Sequence, residues 1–254
     1  VGAREQGCRA AREKVAGLLD ARARNGCVRH CHGDLHLRNI CLVDGAPTLF
    51  DGIEFNEDIT VIDVLYDLAF LLMDLEHRDH RDRAHEVFNR YMALGDEVDA
   101  LAALPLFLSC RALIRAHTTV AASKTQADRV ARKAFEEEAC AYLDLAGSFI
   151  QPDDPRLVAV GGLSGSGKST LARTIAPGLG RAPVALCLRS EGFRKRLFDV
   201  LPETALGADA YTRDISGRVY AAIQERAAAA LAAGHCAVAD AVYAREAERT
   251  AIEG

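Results

Sequence analysis

The stretch with the clearest chemical purpose is a glycine-rich run that ends in lysine and serine. Residues 162–169 read Gly-Leu-Ser-Gly-Ser-Gly-Lys-Ser, which matches the phosphate-binding pattern G-x-x-x-x-G-K-[ST] at every fixed position. Glycines let the backbone wrap around a phosphate so that successive N–H groups point inward. In this pattern Lys168 reaches the β- and γ-phosphates of a nucleotide, and the Ser169 hydroxyl ligates Mg²⁺. The run therefore predicts a site for Mg·ATP or Mg·GTP.

The flanks of this loop are those that phosphate binding requires. Leu157–Val160 has the pattern of a short apolar strand, and the residues from Thr170 onward have that of a helix. The N-terminus of such a helix adds partial positive charge beside the phosphates. The alternative is a Gly/Ser-rich linker that ends in lysine by chance. The strand and helix patterns on either side disfavour it, because a linker would not require them. The predicted nucleotide-binding residues are Gly162, Ser164, Gly165, Ser166, Gly167, Lys168, Ser169 and Thr170.

Acidic residues also follow strand patterns in this half of the chain. Asp240 ends the strand pattern Cys236–Ala239, where an enzyme with such a loop places the carboxylate that orients Mg²⁺ or its water. A strand-terminal aspartate otherwise serves as a helix cap, and that alternative stays open. Glu191 follows the preceding strand pattern, and Arg194 lies three residues further on. We expect Asp240 to approach Ser169, because both would serve one Mg²⁺ ion.

A second constellation lies in the first half of the chain. His32-Gly33-Asp34 is followed by Asn39, and Asp51 comes after a predicted β-hairpin. This arrangement resembles the kinase pattern H-x-D-x-x-x-x-N with its later metal-binding aspartate. A loop of this kind presents Asp34 to an acceptor hydroxyl and Asn39 to Mg²⁺, and the hairpin returns Asp51 beside Asn39. We expect the side-chain oxygens of Asn39 and Asp51 to lie within roughly 4–6 Å, close enough to share a metal ion.

The H-G-D form of the motif resembles the aminoglycoside phosphotransferase-like family, which has the eukaryotic-like kinase fold. The resemblance covers Val15 to Leu75 well and the later helices loosely. It implies that Asp34 is the catalytic base and that Asn39 and Asp51 hold Mg²⁺. It also implies that Asp67 braces the catalytic loop rather than taking part in the chemistry.

A kinase of this type also needs an N-terminal lobe, with a phosphate-covering loop and a lysine on a strand. Nothing before Asp34 supplies either feature. The first half is therefore expected to be a C-terminal lobe that does not bind ATP with normal affinity. The sequence, which starts at Val1 and stops at Gly254, is expected to be a piece of a longer protein.

The segment Ser190–Arg196 resembles the acid-x-x-Arg segment of zeta-toxin-like and polynucleotide-kinase-like P-loop kinases. In those relatives the acid deprotonates the acceptor hydroxyl and the arginine binds substrate or phosphate, which points to Glu191 and Arg194. The family usually has aspartate where this chain has Glu191. A glutamate favoured by a helix N-terminus is the alternative reading. The whole chain resembles a bacterial fusion of an aminoglycoside phosphotransferase-like domain with a zeta-toxin-like AAA-type kinase domain, here without the arginine-bearing lid.

Other readings of these residues stay open. A zinc cluster is one alternative for the histidines and cysteines near the first motif, which lack a paired-cysteine spacing. They are Cys27, His30, Cys31, His32 and His36. Arg111 and Arg115 share a helical face that could meet an anionic substrate or form salt bridges. Surface or capping roles are expected for Glu57, Asp58 and Asp63.

The pattern of elements predicts a mainly α kinase-like lobe with a β-hairpin, followed by an α/β P-loop domain with a parallel sheet. The predicted domains are residues 1–150 and residues 157–254, joined by a proline-containing linker at residues 151–156. Predicted helices of the first domain are Ala11–Ala23, Thr60–Leu75, Leu101–Ala122 and Ala127–Leu145; its strands are Ile40–Val43 and Thr48–Phe50. Predicted helices of the second are Ser169–Ala176, Phe193–Val200 and Arg213–Ala233; its strands are Leu157–Val160, Val184–Leu188 and Cys236–Ala239.

Composition narrows the classes of function. The chain has 254 residues, 50% of them hydrophobic and 26% charged, which is ordinary for a globular protein. A net charge of −5 argues against a general nucleic-acid or membrane-surface binder. The 8 cysteines have irregular spacing and no C-x-x-C, so reduced thiols and a cytoplasmic location are expected.

Two functions from different classes follow from these patterns. The first is a Mg²⁺-dependent phosphotransferase that uses ATP or GTP to phosphorylate a small hydroxyl-bearing molecule. The second is a nucleotide-binding regulatory or NTPase module, in which the nucleotide drives a domain movement. Glu191 discriminates between them, because a kinase needs a base for its acceptor whereas an NTPase needs a positioned water. A non-enzymatic ligand-binding scaffold is disfavoured by the intact Asp34, Asn39 and Asp51.

Overall fold

A computed structural model describes residues 2–95, 97–201 and 203–253. The chain forms two compact units. The first consists of Val1–Ala84 with Ala102–Pro152, and the second of His85–Leu101 with Asp153–Gly254. None of the described helices combines the length and the apolarity that crossing a membrane requires.

Helices and strands are numbered here in chain order. The helices are α1 (Gly2–Arg24), α2 (Glu57–Thr60), α3 (Val64–His77), α4 (Arg81–Leu94), α5 (Leu104–Ser123), α6 (Arg129–Phe149), α7 (Lys168–Ile175), α8 (Ser190–Leu197), α9 (Arg213–Ala232) and α10 (Glu246–Glu253). The strands are β1 (Val28–His30), β2 (Ile40–Val43), β3 (Ala46–Leu49), β4 (Val61–Asp63), β5 (Leu157–Val160), β6 (Leu186–Arg189) and β7 (Ala237–Asp240).

In the first unit, α3 packs against α5, and α5 packs against α6. The single helix predicted over Thr60–Leu75 is wrong at its start, because residues 61–63 form β4 and pair antiparallel with β1. Branched Val61 and Ile62 favour a strand. Asp63 then begins α3 as its N-cap by accepting the Leu65 N–H at 2.8 Å.

The β-hairpin formed by β2 and β3 has a two-residue turn, whereas the predicted strands left four residues, 44–47, between them. Val43 pairs with Ala46, which leaves only Asp44 and Gly45 as turn residues. Both have positive φ, 52° and 79°. That geometry is the type I′ turn that matches the twist of paired strands. The second strand therefore begins at Ala46, before Pro47, and ends at Leu49.

The second unit contains the predicted parallel sheet, with strand order β5-β7-β6. Asp240, the last residue of β7, is in register with Val160 of β5 and with Arg189 of β6. The carboxyl ends of all three strands therefore meet at one edge, which is where α/β sheets place ligands. Gly234 follows α9 with φ 78°, in the left-handed conformation expected of a C-cap.

No helix was predicted where α4 lies, and the residues of α4 from His85 onward belong to the second unit. There Asn89 bonds the open edge of β6, since its Nδ2 donates to the Ala185 carbonyl at 3.1 Å and its Oδ1 accepts the Cys187 N–H at 2.6 Å. One side chain thus satisfies backbone groups that a neighbouring strand would otherwise satisfy. The observed units differ from the predicted division of the chain in this segment, His85–Leu101.

Candidate functional site

In the first unit, residues 32–39 form a loop around Asp34, the Asp34 loop, whose residues bond to one another. Asn39 Nδ2 donates to the Asp34 carbonyl at 2.9 Å and to Asp34 Oδ2 at 3.0 Å. His36 Nε2 lies 3.3 Å from the same carboxylate oxygen. Because His36 Nδ1 accepts the Arg38 N–H at 3.2 Å, a neutral His36 ring carries its proton on Nε2, facing Asp34.

This environment keeps Asp34 ionised. The hydrogen bond from His36 lowers the pKa of Asp34 below the usual aspartate value, against the opposing effect of partial burial. Asn39 and the charge of Arg115 lower that pKa further. The Asp34 side chain remains 38% exposed, so a hydroxyl compound can reach it. A carboxylate held in this way can accept a hydrogen bond from such a compound.

Asp67 holds the loop in place, as the resemblance implied. Its Oδ2 accepts the His32 N–H at 3.0 Å, and its Oδ1 accepts the Gly33 N–H at 3.0 Å. Arg111, which is 5% exposed, donates to the Gly33 carbonyl at 3.2 Å and lies 3.6 Å from Asp67 Oδ1. Its guanidinium carbon also sits 3.9 Å above the Tyr66 ring. Arg111 therefore supports the fold, and of the two alternatives left by the sequence the structure favours the salt bridge over contact with an anionic substrate.

The remaining residues of the first constellation have simpler environments. Phe50, which precedes Asp51, donates its N–H to the Asn39 carbonyl at 3.0 Å, so the backbone before Asp51 passes beside Asn39. Asp51 itself is exposed, with φ 59°. The separation of the Asn39 and Asp51 side-chain oxygens stays a prediction. Asp63 caps α3 and pairs with Arg22 at 2.6 Å, which is the capping role expected of it.

The zinc alternative receives no support from the first unit. In the described ranges, no group of three or more His, Cys, Asp or Glu side chains is arranged to hold a metal ion. His36 is instead engaged with Asp34, and His32 Nε2 lies 2.9 Å from the Phe50 carbonyl. The cysteines are free thiols.

The glycine-rich loop of the second unit connects β5 to α7. Gly165 and Gly167 have φ 79° and 85°, and Gly167 is the N-cap of α7. Left-handed φ values at these positions turn the backbone without the cost that a Cβ atom would bring. Lys168, the first residue of α7, bends back so that its Nζ donates to the Leu163 carbonyl at 3.3 Å. The loop, the helix N-terminus and the ammonium group thus lie together, as phosphate binding requires.

Asp240 and Ser169 meet beside this loop, as the sequence analysis predicted. Ser169 Oγ donates to Asp240 Oδ2 at 2.5 Å. Asp240 is only 3% exposed, and its Oδ1 has no hydrogen-bond partner among the residues that the structure describes. A buried carboxylate oxygen with no partner is costly unless a cation or water binds it. The donor set of one carboxylate and one hydroxyl oxygen is of the type that Mg²⁺ prefers.

Arg189 is a member of this cluster that the sequence analysis did not identify. Its Nε lies 3.6 Å from Asp240 Oδ2, and its side chain is 48% exposed. The signal that could have found it is positional. Arg189 ends β6 in register with Asp240, and residues in register on adjacent parallel strands project to the same face of the sheet.

Glu191 and Arg194 occupy the first turns of α8, after β6. Both Glu191 oxygens accept from the Tyr211 hydroxyl, at 3.2 and 3.3 Å, and the Glu191 side chain is 40% exposed. Arg194 is buried, donates to the Ala210 carbonyl at 2.5 Å and lies under the Tyr211 ring at 4.7 Å. Arg194 therefore positions Tyr211, and the substrate or phosphate contact that the resemblance implied for it stays a prediction.

Comparison with known proteins identifies the second unit. Residues 157–253 match the family model of the AAA domain. The second unit therefore carries a P-loop domain of the AAA type, with its phosphate-binding loop, strand-terminal Asp240 and parallel sheet in the expected places. A domain of this type indicates nucleotide binding of the kinase or NTPase kind.

Longer bacterial proteins resemble most of the chain. Uncharacterized protein Rv2004c of Mycobacterium tuberculosis and Uncharacterized protein Mb2027c of Mycobacterium bovis are each 31% identical to it over 232 residues. The alignments cover 89% of this chain and 44% of each relative, so the chain spans less than half of their length. No solved structure matches the chain significantly.

A tyrosine pair supports the AAA domain beside Asp240. Tyr243, in the loop after β7, stacks on Tyr220 of α9 with ring centroids 5.5 Å apart. The neighbouring Val242 carbonyl accepts the Gly162 N–H at 3.2 Å, which joins this loop to the start of the phosphate-binding loop. Burial raises the pKa of the Tyr243 hydroxyl, so that group stays neutral.

Proposed function

We propose that the AAA domain binds Mg·ATP or Mg·GTP and transfers the terminal phosphoryl group to a small hydroxyl-bearing molecule. The observation that carries the proposal is the contact between Ser169 Oγ and the buried Asp240, whose Oδ1 has no partner among the described residues. In P-loop enzymes a serine and a strand-terminal aspartate hold Mg²⁺ in this way. When bound, the ion neutralises charge on the transferred phosphate.

The loop supplies the remaining contacts with the nucleotide. Backbone N–H groups of the loop, among them those of Gly165, Gly167 and Lys168, would face the phosphates, and the N-terminus of α7 adds its partial positive charge. Lys168 exchanges its contact with the Leu163 carbonyl for the β- and γ-phosphates. Because ATP and GTP share these phosphates, the loop does not distinguish the two bases.

Glu191 is proposed as the group that receives the proton of the acceptor hydroxyl. It lies after β6, at the strand ends where Asp240 is also found, and its side chain is partly exposed. Tyr211 holds the carboxylate from one side through its hydroxyl, and Arg194 holds Tyr211 through its contact with the ring. The acceptor oxygen attacks the terminal phosphorus, its proton passes to Glu191, and the nucleoside diphosphate leaves.

The contact between Tyr211 and Glu191 also supports the second function, a regulatory or NTPase module. Both oxygens of Glu191 already accept a hydrogen bond from Tyr211. A carboxylate that is engaged in this way could serve structure alone. In that case hydrolysis by a positioned water, without any acceptor, would be the only reaction.

For the first unit we propose an aminoglycoside phosphotransferase-like catalytic lobe that acts within a longer protein. Support comes from the ionised, partly exposed Asp34, from Asn39 bonded to it, and from Asp67 bracing the loop. Asp34 would accept the hydrogen bond of an acceptor hydroxyl, and Asn39 and Asp51 would hold Mg²⁺. The 44% coverage of the relatives leaves ample length for an N-terminal lobe. Residues 1–150 alone should then transfer no phosphoryl group from ATP, whether Asp34 is intact or replaced by asparagine.

Calorimetric titration with Mg·ATP and Mg·GTP tests the nucleotide site. Lys168→Ala should weaken binding by about 100-fold or more, because it deletes the charge that meets the β- and γ-phosphates. Lys195→Ala, which removes an equal charge from α8, is the matched control. Equal affinities of the wild type and Lys168→Ala would refute the proposed site.

A phosphoryl-acceptor screen separates the two functions. If the AAA domain is a kinase, Glu191→Gln should reduce phosphoryl transfer to the acceptor by about 100-fold or more while leaving nucleotide affinity unchanged. If it is an NTPase module, phosphate release should proceed without any acceptor and survive Glu191→Gln. The second result would overturn the kinase proposal.

A further inference from the structure

Asp240 has one cationic neighbour whose role the proposed function does not use. Arg189 Nε lies 3.6 Å from Asp240 Oδ2, the oxygen that also accepts the Ser169 hydroxyl. The Arg189 side chain is 48% exposed, whereas that of Asp240 is 3% exposed. A half-exposed cation therefore reaches a buried anion from the solvent side.

The other cations around the site are bonded to backbone carbonyl groups. Lys168 donates to Leu163, Arg173 donates to Ser169 and Arg194 donates to Ala210. Arg189 instead lies against the carboxylate that is proposed to meet Mg²⁺. A buried carboxylate without a counter-ion is strongly unfavourable, so a positive group is required beside Asp240 when no metal is bound.

We infer that Arg189 is the side chain that contacts the terminal phosphate of a bound nucleoside triphosphate, and that it neutralises Asp240 in the absence of a cation. This inference rests on the proposed nucleotide site. The β- and γ-phosphates are the groups that a P-loop serine and its Mg²⁺ approach. A guanidinium that shares an oxygen with this serine is therefore within reach of the γ-phosphate.

The chemistry of arginine fits both roles. Its planar fork of N–H donors matches the oxygens of a carboxylate and of a phosphate alike. Once a divalent cation neutralises Asp240, the attraction between Arg189 and that carboxylate weakens. Because the Arg189 side chain is half-exposed, it can then turn away without leaving a buried charge unpaired. Because a diphosphate lacks the γ-phosphate, Arg189 should distinguish nucleoside triphosphates from diphosphates.

The test compares the affinities of the full chain for ATP and ADP, in Mg²⁺, by calorimetric titration. Arg189→Ala should weaken ATP binding by about tenfold and leave ADP binding within about twofold of the wild type. Arg189→Lys keeps the charge but loses the fork and should fall between the two. Arg218→Ala removes an equal charge from the exposed face of α9 and should change neither affinity.

A second measurement addresses Asp240 without any nucleotide. Mg²⁺ alone should raise the thermal unfolding temperature of Arg189→Ala more than that of the wild type, because the ion no longer competes with the guanidinium. The unfolding temperature also shows whether the variant is folded.

The outcomes separate this inference from the proposed function. If the wild type binds neither nucleotide, the proposed function falls and this inference falls with it. If the wild type binds both and Arg189→Ala does too with unchanged affinities, only the role of Arg189 is refuted. Equal losses of affinity for ATP and ADP would also refute it, because removing a contact with the γ-phosphate cannot lower the affinity for ADP.

Discussion

The Asp34 loop of the first unit and the phosphate-binding loop of the second are held in place by different means. The Asp34 loop depends on distant side chains. Asp67 and Arg111, which lie 33 and 77 residues after Asp34, bond to the loop backbone at Gly33. The phosphate-binding loop depends mainly on its own glycines and on the helix that follows it, with one distant backbone bond from the Gly162 N–H to the Val242 carbonyl. One loop is fixed mostly by distant side chains and the other mostly by local conformation.

This difference teaches where each site is vulnerable. Removing a single support from the Asp34 loop leaves a buried charge or unpaired backbone groups, and such losses are large. Changes outside the phosphate-binding loop should affect that loop much less.

Asp67→Asn should lower the free energy of unfolding of the first unit by about 3–5 kcal/mol. The change leaves the buried Arg111 guanidinium without its anion, and one loop N–H then faces an amide donor. Hydrogen exchange of first-unit amides measures the loss. Asp44→Asn makes the same charge change at an exposed turn position and is the control. Nucleotide affinity of the AAA domain should not change, and a matching loss of affinity would contradict the contrast.

The second unit should lose stability in mild acid through His235. Burial and the nearby charge of Arg181 lower the pKa of His235 to about 4. Between the unfolded value near 6.5 and this folded value, the unfolded state binds the extra proton. The free energy of unfolding is therefore unaffected by His235 above about pH 6.5, and it falls by about 3 kcal/mol as the pH drops to about 4.

Urea unfolding at pH 7 and pH 4.5, monitored by exchange of the β7 amides, checks this expectation. His235→Phe should flatten the pH dependence of the second unit, because the site then has no group to protonate. His117→Phe, at an exposed position of α5, should leave the dependence unchanged. An equally steep loss of stability in His235→Phe would show that another group is responsible.

Two glycines with nearly equal backbone angles offer a direct comparison of the two loops. Gly33 has φ 81° and Gly165 has φ 79°. A Cβ atom at Gly33 would meet the Ile59 carbonyl oxygen at 3.0 Å, whereas one at Gly165 would meet nothing within 4 Å. Gly165→Ala should cost about 1–2 kcal/mol from the left-handed conformation alone, and Gly33→Ala should cost more. Equal losses, measured by hydrogen exchange in each unit, would mean that the first loop adjusts freely around the new methyl group.

The smallest expected effect concerns the ionisation of Asp34. His36→Phe keeps a ring against Phe70 but removes the Nε2 donor, so the pKa of Asp34 should rise toward its usual value. The stabilisation that ionised Asp34 gives is present above the usual aspartate pKa and is lost as the pH falls through the lowered one. Carboxyl carbon NMR measures the change, with His30→Phe on the exposed strand β1 as control. An unaltered Asp34 pKa would assign the shift to Asn39 and Arg115 instead.

Features that are encoded locally could be predicted from the amino-acid sequence. The glycine pattern, its lysine and its flanking strand and helix specify the phosphate-binding loop, because a dihedral angle at glycine and a helix N-terminus depend on adjacent residues. The same reasoning predicted the parallel sheet. It also predicted that Asp240 approaches Ser169, because both would serve one Mg²⁺ ion.

The tertiary structure was needed to tell which charged side chains are buried against aromatic rings and which lies beside Asp240. Arg194 and Arg111, read from sequence as candidates for anionic substrates, are buried against Tyr211 and Tyr66. Arg189, which no motif marked, is the one placed beside Asp240. The pairing of Val61–Asp63 with Val28–His30 and the bonding of Asn89 to β6 were likewise invisible in sequence. All of these depend on partners distant along the chain, and a pattern of neighbouring residues carries no information about such partners.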